Sequence, residues 1–145
     1  MSKLLNVLIW IWQLPQHLVA IGLFIANRKH CEKREKNGVT YYLVKHVCNC
    51  GISLGNYIFL DSDTIHYYNN AVYNHEYGHS IQSKIFGPLY VIFVGIPSVI
   101  GNVVDRALTR YNPNHYKTCH YYDQPWEYWA DKLGGVDRKK YRKHQ

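Results

Sequence analysis

Two histidines four residues apart with a glutamate beside the first, His75-Glu76-Tyr77-Gly78-His79, form the segment of this chain whose spacing most directly suggests a reaction. On a helix, residues i and i+4 share one face a turn apart, so both imidazoles can grip the same divalent ion. Glu76 is too near His75 to complete a tetrahedral set with both rings, yet near enough to take a proton from a water on the ion. The implied chemistry is hydrolysis by metal-activated water. The plainer reading is a polar helix face with solvated histidines. It has to explain why a helix that also holds Ala71, Val72, Ile81 and Ile85 turns this cluster toward the same region.

A catalytic zinc needs a third protein ligand and one open position. The segment Trp126-Glu127-Tyr128-Trp129-Ala130-Asp131 offers two acids one helical turn apart. Glu127 can therefore complete the set with His75 and His79, while Asp131 accepts from a ring N–H and orients it. His120, beside Cys119, is the main rival to Glu127. A donor for the oxyanion of a tetrahedral intermediate is sought in the loop just before Glu127, among His115, His120, Tyr121 and Tyr122. With 14 tyrosines in the chain, most must serve packing, so none of these is singled out.

H-E-x-x-H at residues 75–79 followed by E-x-x-A-D at residues 127–131 resembles the pattern of gluzincin-type zinc peptidases. The nearest likeness is to the membrane-embedded CAAX prenyl protease and heat-shock protease branch, with thermolysin-like enzymes as more distant cousins. The resemblance covers roughly residues 71 to 86 and 125 to 135. It implies Zn2+ on His75, His79 and Glu127, Glu76 as the base, Asp131 as the residue orienting a ligand, and a peptide or protein substrate. Ser80 to Ser83, Gly87-Pro88-Leu89-Tyr90 and Gly95-Ile96-Pro97-Ser98 also look like a family of small H-E-Y-G-H proteins, whose activity the likeness leaves open. Two other functions fit the same residues. One is a non-catalytic, zinc-stabilised membrane adaptor whose site is closed by a fourth protein ligand; the other is a zinc hydrolase of a non-peptide amide.

Several elements must position these groups. Asn69 or Asn70 can cap a motif helix that runs to about Phe86, where Gly87-Pro88 stops it. Pro125 opens a second short helix to Leu133, which Gly134-Gly135 ends. Lys33 to Gly38 reads as a polar turn. Thr40 to Val47 and Ile52 to Leu60 read as a β-hairpin through Asn49 and Gly51, with an edge for an extended substrate.

Leu4 to Asn27 carries no fixed charge and is long enough to cross a bilayer, but Gln13, Pro15, Gln16 and His17 interrupt it. A kinked helix, or one lying partly in the interface, competes with a simple span. A second uncharged stretch, Ile85 to Val104, cannot cross once if Glu127 is to meet His75 and His79. It is expected to bend back at Gly95, Pro97 and Gly101, as a re-entrant hairpin or two short core helices.

At 145 residues the expectation is an α+β, mainly helical fold with a compact gluzincin-like core, divided into a membrane-associated helix (1–27) and a metallopeptidase-like domain (28–145). The net charge of +7 is concentrated in Arg28 to Lys36 and Arg138 to His144. These runs flank apolar segments, which favours membrane lipid headgroups as partners; no nucleic-acid module accompanies them. The positive-inside tendency then turns the active site toward the cytoplasm, where four cysteines are expected to stay reduced. Cys48-Asn49-Cys50 is too tightly spaced for an easy mutual disulfide and reads as a strand-end feature.

Overall fold

The N-terminal apolar stretch folds as two helices, α1 (Lys3–Trp12) and α2 (Leu14–Asn27), bent by 78°. The structure, a computed structural model, describes residues 3–45, 51–62, 70–112 and 121–138 of a mainly helical α+β chain. Polar residues that interrupt the hydrophobic run account for the break. Gln13, Gln16 and His17 are fully buried against the rest of the chain. The Gln16 amide donates to the carbonyl of Gly87, and the Asn56 N–H donates to His17 Nε2 at 3.2 Å. A straight helix would have left these groups in an apolar surface without such partners.

A four-stranded sheet follows: β1 (Cys31–Lys36), β2 (Val39–Val44), β3 (Gly51–Leu54) and β4 (Tyr57–Asp61), in the order β1-β2-β4-β3. The single hairpin expected from Thr40–Val47 and Ile52–Leu60 is replaced by two. β1 and β2 pair antiparallel around Asn37-Gly38, whose φ values of 55° and 71° suit the two-residue turns that match strand twist. β3 and β4 pair antiparallel around Gly55-Asn56, and β2 joins β4 in parallel, Thr40 opposite Tyr57.

The expected polar turn over Lys33 to Gly38 is thus mostly strand. β1 is an edge strand with four consecutive exposed charged residues, so it shows no apolar alternation to read. Its charges pair along the strand instead, Arg34 with Glu32 at 2.9 Å and Lys33 with Glu35 at 3.2 Å. The expected helix cap at Asn69 and the Cys48-Asn49-Cys50 feature lie outside the described residues.

β4 reads as an unbroken apolar run because both of its faces are covered. Ile58 and Leu60 pack with Val39 on Tyr73, while Phe59 packs with Val44 on Ala20 of α2. Ile58, Phe59 and Leu60 are fully buried, each contributing about 1.5–3 kcal/mol relative to exposure. Tyr73 belongs to α3 (Asn70–Phe86), so the sheet core fixes the helix that carries residues 75–79.

After α3 come a tight turn (Gly87–Leu89), a π-helical stretch (Val91–Gly95) and α4 (Ile96–Tyr111). The expected bend at Gly95, Pro97 and Gly101 is absent, and Val91–Tyr111 is one continuous helix of 21 residues. The wider π turn before Pro97 accommodates the missing N–H and the ring, so the proline does not break the helix. A 3-10 turn (Tyr121–Asp123) leads into α5 (Pro125–Gly134). Gly135, at φ 72°, ends α5 with its N–H on the Lys132 carbonyl, as the Gly134-Gly135 pair led one to expect.

Candidate metal centre

The site is built where α3 crosses α5, and two glycines set how close they come. A Cβ on Gly78 would collide with the carbonyl of Ala130, and one on Gly134 with the carbonyl of Asn74. With no side chain at these points the two backbones touch. Longer side chains beside the contact then reach one another.

His75 Nε2 lies 3.0 Å and His79 Nε2 lies 3.2 Å from the same atom, Glu127 Oε2. All three residues are buried, and their ligand atoms fall within 4.8 Å of one another. A tetrahedral zinc with bonds of about 2.0–2.1 Å holds its ligand atoms about 3.3 Å apart. These residues therefore fit a divalent ion.

Hydrogen bonds on the far side of each ring support that fit. His75 Nδ1 meets Asp131 Oδ1 at 2.7 Å, and His79 Nδ1 meets Gln82 Oε1 at 2.7 Å. A carboxylate only accepts, so His75 must donate from Nδ1. Gln82 Nε2 donates to the Trp126 carbonyl at 2.7 Å, which fixes its amide orientation and leaves its oxygen to accept from His79. With Nδ1 of each ring committed as a donor, Nε2 faces a carboxylate oxygen, and either a proton on Nε2 or a bound cation must lie between them.

The titration behaviour follows the same geometry. Burial alone would lower the pKa of His75, but hydrogen bonds to Asp131 and Glu127 outweigh it and hold it up at about 9. Burial would raise Glu127, and the bonds from His75 and His79 instead hold it below the ordinary carboxylate range. The other oxygen of Glu127 accepts from the Tyr121 hydroxyl at 2.9 Å, and that hydroxyl also lies 2.9 Å from Ser98 Oγ. Burial, and then the charge of Glu127, push the Tyr121 phenol up, so it stays a donor.

Asp131 is held in turn by Arg138, with contacts of 2.7 and 2.8 Å to its two oxygens. The guanidinium lies 3.6 Å from the Tyr122 ring centroid, and Tyr122 meets His75 edge-on at 5.4 Å. Burial would raise Asp131; the bonds from His75 and Arg138 bring it down. A cavity of about 350 Å³ opens among Tyr122, Tyr128, Asp131 and Arg138. It is lined by Asp131, the partner of His75 Nδ1, and by none of His75, Glu76, His79 and Glu127.

Glu76 faces the sheet. A Cβ on Gly51 would overlap its side chain, so only glycine lets the first residue of β3 pass over this carboxylate. Burial raises the Glu76 pKa, an effect that His75 and His79 partly offset.

His75, His79 and Glu127 are thus drawn together with Asp131 on His75, Glu76 is buried beside His75 in sequence with its side chain on Gly51, and His115, Cys119 and His120 lie outside the described residues. Tyr121 reaches the site with its hydroxyl engaged by Glu127 and Ser98. Sequence reasoning missed Gln82 and Arg138. Gln82 had a legible signal, three residues after His79 on the same helix face. Arg138 lies beyond the Gly135 turn, where no periodicity points back to Asp131.

Gln82→Leu, which removes the acceptor with little change of volume, is expected to weaken metal binding about 10- to 100-fold in chelator competition. Unchanged affinity would show that His79 needs no partner. Compared with known protein families, curated proteins and solved structures, the chain gives no match.

Proposed function

We propose that this chain is a zinc-dependent metallopeptidase of the gluzincin type, associated with a membrane and with its site facing the cytoplasm. The observation that carries the reading is the pair of imidazole Nε2 atoms on one Glu127 oxygen, with a buried Glu76 next to them in sequence. A purely structural metal site has no use for that extra carboxylate.

Zinc held by His75, His79 and Glu127 supplies Lewis acidity, polarising the scissile carbonyl and acidifying a water. Glu76 accepts the proton of the attacking water and delivers it to the leaving amine as the C–N bond breaks. Its burial raises its proton affinity, which strengthens it as a base. Asp131 and Gln82 hold the rings, and Tyr121 holds one oxygen of Glu127, leaving the other toward both rings. β3 is the last strand of the sheet, and its Gly51 end lies on Glu76. An extended peptide added to that edge brings a carbonyl toward the site by main-chain pairing, which implies modest sequence selectivity.

Metal analysis combined with X-ray absorption tests the proposal. The expected outcome is one zinc per chain with two nitrogen ligands, one carboxylate and a non-protein oxygen, and none in His79→Ala. Four protein ligands would instead support the adaptor. A site that turns over only small amides would support the non-peptide hydrolase.

A further inference from the structure

We infer that α1, α2 and the Val91–Tyr111 helix all enter one leaflet of an anionic lipid bilayer and lie within it, so that the chain crosses nowhere. The inference deepens the membrane-associated part of the proposed function and is independent of the zinc chemistry.

At 1.5 Å per residue α1 is about 15 Å long and α2 about 21 Å, and joined at 78° they reach about 28 Å end to end, close to a hydrocarbon core of about 30 Å. What argues against a crossing is the docking of the bend, because a span would carry its partners, Gly87 and the sheet, to the bilayer centre. The bend is fixed to protein, since Trp12 covers Gly87 where a Cβ has no room, and His17 meets Tyr57 edge-on at 5.2 Å.

The Val91–Tyr111 helix is long enough, at about 32 Å, and is almost wholly exposed. Its connections exclude a crossing. The chain beyond it returns to its middle, where Tyr121 bonds Ser98 and Gln124 packs on Gly101, so a crossing would carry Tyr121 and Gln124 to the bilayer centre. If Tyr111 lay across the bilayer, about ten residues that include Asn112, Asn114, His115 and Lys117 would have to come back through hydrocarbon. Too few residues are available for a second spanning helix, and any other backbone exposed to lipid costs several kcal/mol per unpaired group. A helix lying along the interface meets neither obstacle.

The surface pattern names the surroundings. α2 turns a polar stripe inward, Gln13, Gln16 and His17 with Ala20, and leaves Leu18, Ile21 and Ile25 exposed. That is the reverse of a helix in water. α1 exposes Leu4, Val7, Leu8 and Ile11, and α4 with the preceding turn exposes Ile92, Ile96, Val99 and Val103, each set at helical spacing. α1 also packs on the Gly87–Leu89 turn that leads into the long helix, so these faces adjoin. Lys3, Arg28 and Lys29 stand at the ends of the N-terminal pair, and no Asp or Glu precedes Glu32. Such a charge pattern matches anionic headgroups.

The test uses the full chain. In flotation, binding to vesicles containing phosphatidylglycerol should exceed binding to phosphatidylcholine alone by about tenfold or more, and Arg28→Gln/Lys29→Gln should remove most of the difference. Brominated lipids report depth through Trp10 and Trp12, with a Trp10→Phe/Trp12→Phe control for Trp126 and Trp129. Bromines near the headgroups should quench at least about twofold more than those at the bilayer centre. In cells expressing the chain, cysteines placed at Lys3, Lys29 and Thr109 should all react with an impermeant maleimide from the same side. A position that labels only from the opposite side, or stronger quenching from the centre, overturns the inference. A dimer that binds no vesicle overturns it in favour of a second copy on the apolar faces. Repeating flotation with His79→Ala separates the readings, because loss of the metal should leave membrane binding unchanged.

Discussion

Glu76→Gln protein is expected to bind zinc as the native chain does and to hydrolyse peptides about 10²- to 10⁴-fold more slowly, the usual contribution of a positioned acid–base group. The substitution keeps shape and removes only the ability to take the proton. Glu76 is buried and close to Gly51, so the neutral amide occupies the same space. Peptide turnover and zinc content measured on one preparation make the check. Undiminished turnover with zinc in place would remove Glu76 from the mechanism, and loss of zinc would mean that Glu76 helps to hold the ion.

The second large effect is structural. Gly78→Ala places a methyl on the carbonyl of Ala130, backbone against backbone, where no rotamer change can relieve the overlap. α5 must then move away from α3, and Glu127 moves with it. Overpacking of this kind costs about 1–3 kcal/mol or more, which in a chain of this size lowers the melting temperature by about 5–10 °C. Zinc affinity should fall further than in Gln82→Leu, since a ligand is displaced rather than loosened. Gly22→Ala is the control. An added Cβ there meets nothing within 4 Å, and alanine favours a helix by up to about 1 kcal/mol over glycine. A Gly78→Ala protein with native melting and native zinc affinity would show that the helix crossing does not set the site.

The two predictions bear on different parts of one short motif. In His75-Glu76-Tyr77-Gly78-His79 the histidines and glutamate carry the proposed chemistry, while Gly78 gives the distance at which a second helix can supply Glu127. Gly134, just after the later acidic segment, answers Gly78 in the same way, because a Cβ there would meet the Asn74 carbonyl. These small residues therefore have a packing reason as concrete as that of the ligands.

Much of the site was legible from local spacing. Paired imidazoles at i and i+4, two acids at i and i+4, and the Gly-Pro and Gly-Gly stops each depend on a few neighbouring residues, and so were readable in order along the chain. Strand pairing was harder. β1 carries charges on nearly every residue, and an edge strand with no buried face leaves no alternation. The parallel join of β2 to β4 depends on which strand covers which apolar face, a choice made between segments and not within one.

By itself the sequence determined the donor set, the helices carrying it and the mostly apolar character of the N-terminal stretch. Only the tertiary structure decided that the histidines share one oxygen of Glu127, that Gln82 and Arg138 brace the rings, and that buried Gln13, Gln16 and His17 divide one apolar run into two helices. The reason is range. Donor type and helical phase are properties of a few adjacent residues, whereas ring orientation, ligand distance and the partners of buried polar groups arise only when distant segments are packed together and each group must find its hydrogen bond.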